Sequence, residues 1–164
     1  MPLDCGSRAC GLVTFDPYNR AMASTLPNSR MIVRRARSGV GVVAGNLVAA
    51  IGNFDGVHLG HQALVARARA VAGPGQKVAV ITFEPHPREV LDRANAPARL
   101  MRVTDKAVAL SRLGVDELIV LNFDHVLRSM TPADFSVGVL ARQLGVEHVV
   151  VGEDFRYGAR RAGN

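Results

Sequence analysis

Four short apolar runs punctuate the chain from Leu47 onward: LVAAIG (47–52), KVAVITF (77–83), ELIVLNF (117–123) and HVVVG (148–152). Each is too short for a globular helix and nearly unbroken by polar residues, the pattern of a parallel strand buried on both faces. The intervening segments change period. In GHQALVARARAVA (60–72) helical spacing sets Leu64, Ala68 and Val71 on one face, with Arg67 and Arg69 turned away. TDKAVALSRL (104–113) predicts a helix with Thr104 as N-cap, Asp105 in its first turn and Gly114 as its stop. On that helix Lys106 falls on a face expected to be solvated. TPADFSVGVLARQLG (131–145) predicts a third helix, with Thr131 as N-cap, Pro132 at the first helical position and Gly145 after the last.

Strands alternating with helices of this length imply right-handed βαβ units and a parallel sheet covered on both faces. The expected fold class is therefore α/β, an open doubly wound parallel sheet. Such sheets bind ligands at the carboxyl ends of their strands. Residues 1–30 break the pattern: turn formers mix with short apolar pieces, without a sustained period of either kind. They are expected to form a poorly ordered extension, with a more regular stretch, MIVRR, opening at Met31. Gly39-Val40-Gly41-Val42-Val43-Ala44-Gly45 misses the dinucleotide-binding glycine spacing by one residue and has no predicted strand before it, so it reads as a loose turn.

Composition narrows the class without naming an activity. A chain of 164 residues, 48% apolar and 21% charged, has the make-up of one globular domain with a real core. The net charge of +6 favours anionic partners. Arg34, Arg35 and Arg37 form its only dense basic patch, and no ladder of aromatic residues accompanies it. That argues for phosphate-bearing small molecules over nucleic acid. Cys5 and Cys10 are too few for a metal site or a disulfide framework and read as free thiols of a cytoplasmic protein. No apolar run approaches the ~20 residues of a membrane helix, and no metal site is expected.

The chemistry gathers at the end of the first apolar run, in Gly52-Asn53-Phe54-Asp55-Gly56-Val57-His58-Leu59-Gly60-His61. Its glycines allow a sharp turn and close approach of a ligand, and the following helix offers free N–H groups and the positive end of its dipole. Two imidazoles three residues apart can both face that anion site, where they can hold the β- and γ-phosphates of ATP. A two-histidine metal site is the competing reading, with His86 as the one further ligand within topological reach. Strand, glycine turn, His-x-Gly-His and helix in succession favour the nucleotide.

The run Phe54-Asp55-Gly56-Val57-His58-Leu59-Gly60-His61-Gln62 closely resembles the signature of bacterial bifunctional riboflavin kinase/FAD synthetases, within the nucleotidylyltransferases marked by His-x-Gly-His. The likeness continues through Thr82-Phe83-Glu84-Pro85-His86-Pro87, Arg99-Leu100, Lys106, Leu113-Gly114-Val115-Asp116, Phe123-Asp124 and Val151-Gly152-Glu153-Asp154-Phe155-Arg156-Tyr157-Gly158. It implies a domain over 31–164 that transfers AMP from ATP to FMN, with Mg²⁺, giving FAD and pyrophosphate. By resemblance, Gly52, Asn53, Phe54, Asp55, Gly56, His58, Gly60 and His61 surround ATP, and His58 and His61 stabilise the transition state. Phe83, Pro85, His86 and Pro87 would shape the flavin side, and Asp154 and Tyr157 would lie in a loop meeting flavin and adenylate. For Phe83 core packing competes with flavin contact, for Glu84 and His86 a solvated turn competes with acid–base chemistry, and for Asp154 a local turn hydrogen bond competes.

Two substitutions depart from the family pattern: Leu91 stands where an aromatic is expected to hold the flavin, and Tyr157 replaces a common Phe. No Ser-Ser-Thr…Arg segment follows Tyr157, and no riboflavin kinase barrel follows either. The chain as given is therefore expected to be a partial module and a poor enzyme alone. The alternatives are a non-catalytic nucleotide or flavin binder, and a short cytidylyl- or pantetheine-phosphate adenylyltransferase. An aminoacyl-tRNA synthetase fragment shares only the His-x-Gly-His.

The lack of any core pattern before Met31 makes a first prediction. Removing residues 1–30 should change thermal stability by no more than about 1 kcal/mol, as for an unpacked terminus. A thermal melt showing a loss of several kcal/mol would mean that the extension is packed.

Overall fold

Five strands pair side by side, every pair parallel, in the order β1-β4-β3-β2-β5. They are β1 (Ile32–Ala36), β2 (Leu47–Ile51), β3 (Lys77–Glu84), β4 (Glu117–Asn122) and β5 (Val146–Val150). The computed structural model describes residues 31–39, 45–159 and 162–163. The extension 1–30, with Cys5 and Cys10, lies outside the described residues, as do residues 40–44 of the glycine-rich run.

Three of the apolar runs are buried as expected: β2, residues Val78–Ile81 of β3, and Glu117–Leu121 of β4. The fourth is not: β5 starts two residues earlier than expected, at Val146, and lies at the sheet edge with only Val146 buried and Glu147, His148 and Val149 exposed. Alternate side chains of the three buried strands feed two cores. Leu47, Ala49, Ile51, Ile81, Ile119 and Leu121 meet Leu127, Phe135, Val139 and Leu144 on one face. Val48, Ala50, Val78, Val80, Leu118 and Val120 meet Val65, Ala68 and Leu110 on the other. Helices α1 (Leu59–Val71) and α3 (Val103–Arg112) thus cover one face, and α4 (His125–Ser129) and α5 (Asp134–Gln143) the other. This is the doubly wound arrangement expected from the alternation of runs.

Several boundaries move. On α1 the fully buried residues are Val65 and Ala68, with Leu64 and Val71 partly covered, while Arg67 and Arg69 are exposed as expected. Helix α3 begins one residue before Thr104, so its cap is Arg102, whose N–H donates to Asp105 Oδ2 at 3.4 Å. Thr131 does cap the third helical segment: Asp134 N–H donates to its Oγ1 at 3.1 Å. That segment is wound wider than an α-helix, with Leu144 N–H donating to Val139 O at 3.0 Å, five residues back. Helices α2 (Pro87–Leu91) and α4 are single turns, too short for their period to show in the sequence. Asp124 caps α4, accepting from Val126 N and Leu127 N at 3.0 Å each. These bonds, the one from Leu127 first, hold its carboxyl below the usual range.

The glycine-rich run 39–45 is preceded by a strand after all. MIVRR contributes most of β1, an edge strand whose Ile32 and Val33 are 41% and 48% exposed. Its register is set partly by charge. Glu117 at the start of β4 is fully buried, and its carboxylate accepts from Arg34 Nε at 3.0 Å and Lys77 Nζ at 3.1 Å. The ion pairs therefore tie β1 and β3 to β4 at one end of the sheet, and Arg34 is spent on a structural contact.

Within this sheet Ile119 is wholly buried, whereas Val149 on the β5 edge is 47% exposed. Replacing Ile119 by Ala should lower the urea-unfolding free energy by roughly 2–5 kcal/mol, through lost burial and the cavity left behind. Val149→Thr should stay within about 0.5 kcal/mol. Comparable losses from the two would contradict the assignment of the core.

Candidate functional site

Strand β2 lies between β3 and β5, although the chain runs from β2 to β3 to β4 before crossing back to β5. The helices after β2 and after β4 therefore leave on opposite faces, and a crevice opens beyond the carboxyl ends of β2 and β5. This is the topological switch point at which open α/β sheets bind ligands. The turn 52–58 follows β2 and the segment 151–158 follows β5, so the two most distinctive sequence blocks flank the same crevice.

The turn after β2 is strongly constrained. Phe54 (φ 50°) and Val57 (φ 40°) adopt left-handed backbone conformations unusual for residues with side chains, and Gly56 (φ 78°) lies between them. Phe54 is fully buried in the core, so only its backbone is open to a ligand. The Asp55 carboxylate accepts from Leu100 N at 3.0 Å and Met101 N at 2.9 Å. It pins the segment after α2 to the turn.

At the N-terminus of α1 the two imidazoles stack. The ring centroids of His58 and His61 are 3.7 Å apart, and the ring of Phe54 lies 4.6 Å from that of His61 on a similar plane. Gly60 is what lets His58 fold over: a Cβ there would stand 3.2 Å from the His58 ring. His61 is half-buried, its Nδ1 buried without a hydrogen-bond partner among the described residues. Burial, with the charges of His58 and Lys106, lowers its pKa to about 4 against a smaller opposing effect of Asp55. His61 is thus neutral near pH 7, a hydrogen-bonding group free to meet an anion without carrying a full charge into the protein.

Lys106 overturns its expected solvated place. It is 6% exposed and reaches beneath the turn, donating to Asn53 O at 2.6 Å and Thr82 Oγ1 at 3.2 Å. Thr82 also donates to Asn53 O, at 2.9 Å. The helical pattern concealed this because the cluster of β3, α3 and the β2 turn exists only once the sheet is built. Burial pushes the ammonium's pKa below its ordinary value.

Beside the turn lies a cleft of about 400 Å³. Gly52, Asn53, Phe83, Pro87, Asp154 and Tyr157 line it together, so most of the expected flavin-side residues converge with the start of the β2 turn. Phe83 both packs on the core and faces the cleft, meeting Phe123 edge-on at 5.9 Å. Leu91 lines it where an aromatic was expected. Tyr157 keeps a ring there, 5.6 Å from that of Phe135 and 5.9 Å from that of Phe155. Asp154 makes no side-chain hydrogen bond among the described residues, so the competing turn bond is not formed. The sequence reading missed Phe123, Phe135, Arg88 and Arg128, which also face the cleft. They come from separate elements, and no local pattern marks them.

Two expected flavin-side residues are not brought to this cleft. Pro85 lies with Glu89, Val90 and Arg99 around a separate depression. His86 caps α2, its Nδ1 accepting from Arg88 N at 3.2 Å, and burial lowers its pKa. Glu84 is neither a solvated turn residue nor a free acid–base group, because it is ion-paired with Arg99. Arg99 also donates from Nη2 to Glu89 Oε2 at 2.6 Å.

Comparison with known proteins shows what the chain is similar to. A family model described as FAD synthetase matches residues 42–164. The bifunctional riboflavin kinase/FMN adenylyltransferase of Pseudomonas fluorescens is 47% identical over 118 residues, covering 71% of this chain and 38% of that protein. Its counterpart in Escherichia coli K12 is 40% identical over 121 residues, with the same coverage of 71% and 38%. The chain thus spans about 38% of the length of the curated relatives it matches. A solved structure described as a macrolide-efflux protein from Streptococcus pneumoniae superposes with a TM-score of 0.65 at 24% identity. It covers 81% of this chain and 45% of that one, and the likeness concerns the fold. With the family match spanning both blocks that flank the switch point, the chain belongs to the FAD synthetase family.

Proposed function

We propose that this chain acts as an FMN adenylyltransferase module, with ATP at the β2 turn and FMN in the adjoining cleft. The observation that carries the reading is the stacked His58–His61 pair on the N-terminus of α1, at the switch point and beside an aromatic-lined cleft. Free N–H groups at a helix start, the helix dipole and two imidazoles together suit the phosphates of a nucleotide. Phe83, Phe123, Leu91 and Tyr157 suit a flat apolar ring, and the Arg88 and Arg128 guanidinium groups suit the phosphate attached to it.

In the proposed reaction an oxygen of the FMN phosphate attacks the α-phosphorus of ATP. The new P–O bond forms as the bond to the bridging α–β oxygen breaks, and pyrophosphate departs with that electron pair. His58 and His61 hydrogen-bond the departing phosphates, so the turn holds the nucleotide and compensates charge as it develops. Mg²⁺ would come bound to the nucleotide and would help neutralise charge on its phosphates. Among the described residues no cluster of three His, Cys, Asp or Glu side chains offers a separate metal site.

FAD formation from FMN and ATP tests the reading. In protein that turns over, His58→Ala and His61→Ala should each lower the rate by roughly 10²–10³-fold, the scale of one lost transition-state donor. Variants that bind and react like the parent would remove the phosphate assignment.

The depressed pKa of His61 makes a further prediction, about stability. Between the unfolded value of 6.5 and the folded value of about 4 the unfolded chain binds more protons at this site, so its contribution to stability declines as pH falls through that window. Above pH 6.5 the contribution is flat. Urea unfolding from pH 7 to pH 4 should show this decline, and His61→Phe should reduce its slope. An unchanged slope in the variant would show that His61 is not buried in its neutral form.

A further inference from the structure

Lys106 is nearly buried, yet neither of its hydrogen-bond acceptors is charged: one is the Asn53 carbonyl, at 2.6 Å, and the other the Thr82 hydroxyl, at 3.2 Å. An ammonium carries three N–H donors, so one remains without an acceptor among the described residues. The charged groups around it are committed elsewhere. The carboxylate of Asp55 accepts from Leu100 N and Met101 N, and Glu84 is held by Arg99, itself a cation. His61 and His86, from α1 and from the loop before α2, both have pKa values pushed down by burial and in part by Lys106. A positive charge withdrawn from water without an ion-paired carboxylate costs folding free energy, and an anion bound close by offsets that cost.

Asn53 places this charge. Its carbonyl accepts from Lys106, its residue lines the cleft, and the chain continues from it into Phe54 and the dihistidine turn. We propose that Lys106 is a positioning residue that supplies a fixed positive charge beneath the β2 turn, drawing the phosphates of the nucleotide onto His58 and His61. The proposal rests on the nucleotide reading of that turn and adds the source of its charge. Neutral His61 contributes hydrogen bonding there, and Lys106 contributes the charge that His61 lacks. The side chain acts from below, through space and through the carbonyl it holds, in a region where water screens it poorly.

Lysine occurs only at Lys77 and Lys106, which gives a direct test on the unmodified chain. Protein labelled with ¹³C at the lysine ε-carbon has two such resonances, assigned with Lys77→Arg. The pH titration of each is followed alone, with ATP and with adenosine. Saturating ATP should raise the titration midpoint of Lys106 by about one unit or more, the linkage expected of a charge that meets the phosphates. Adenosine should leave it in place. Lys77, paired with Glu117 at the other end of the sheet, should move with neither ligand. In parallel, Lys106→Gln keeps a donor and removes the charge. It should bind ATP about tenfold more weakly while binding adenosine as the parent does.

ATP binding that leaves the Lys106 midpoint unmoved would overturn the proposal and spare the nucleotide reading. Equal losses for ATP and adenosine in Lys106→Gln would overturn it too, since they mark a structural role. ATP failing to bind the parent chain at all would overturn the nucleotide reading itself, and this inference with it.

Discussion

The carbonyl of Asn53 is the point on which the site depends. It accepts from Lys106 Nζ on α3 and from Thr82 Oγ1 on β3, so three segments distant in sequence meet at one backbone oxygen. Immediately after it the chain enters left-handed geometry at Phe54, a conformation that survives only where surroundings over-determine it. Burial of the Phe54 ring fixes one side of the turn, and Asp55, bonded to Leu100 N and Met101 N, fixes the other. The two histidines inherit their place from these constraints.

Close contacts make glycine a requirement at particular positions. At Gly60 the missing Cβ is the space over which His58 folds. At Gly158 (φ 73°) a Cβ would stand 2.9 Å from the Pro132 ring and its backbone nitrogen. The segment after β5 is thereby packed against the start of α5, and Ala159 N–H donates to Met130 O at 2.8 Å. Both walls of the crevice are shaped by backbone that approaches its neighbours more closely than a side chain allows.

Charge is arranged along the same lines. At one end of the sheet Glu117 draws in Arg34 and Lys77 and closes a structural network. At the carboxyl end, Arg99 is taken up by Glu84 and Glu89, and Asp55 is taken up by amides, so among the described residues the ammonium of Lys106 has no paired carboxylate. Among the described residues, Glu117 is thus compensated by two cations, whereas buried Lys106 is held by a carbonyl and a hydroxyl. The difference lies in which carboxylates the fold places within reach.

The sequence by itself determined the repeating frame and singled out the glycine–histidine turn after β2. Four apolar runs marked strands, three of them buried and the fourth, β5, an exposed edge, and a glycine turn carrying His58 and His61 before an amphipathic segment pointed to an anion site, because both signals are local. The fifth strand was not legible: β1 sets two exposed apolar residues, Ile32 and Val33, before two arginines, with no alternation, and lies at an edge, where burial imposes no pattern. Nor was the fate of Lys106, whose helical position implied solvent until β3 and the β2 turn closed over it. Pro85 and His86 followed the expected cleft residues in sequence yet face elsewhere, since α2 turns the chain immediately after β3. Conversely, Phe123, Phe135 and Arg128 joined the cleft from elements far along the chain. Local order is written in periodicity, whereas convergence at a switch point is decided by strand order, which only the assembled sheet expresses.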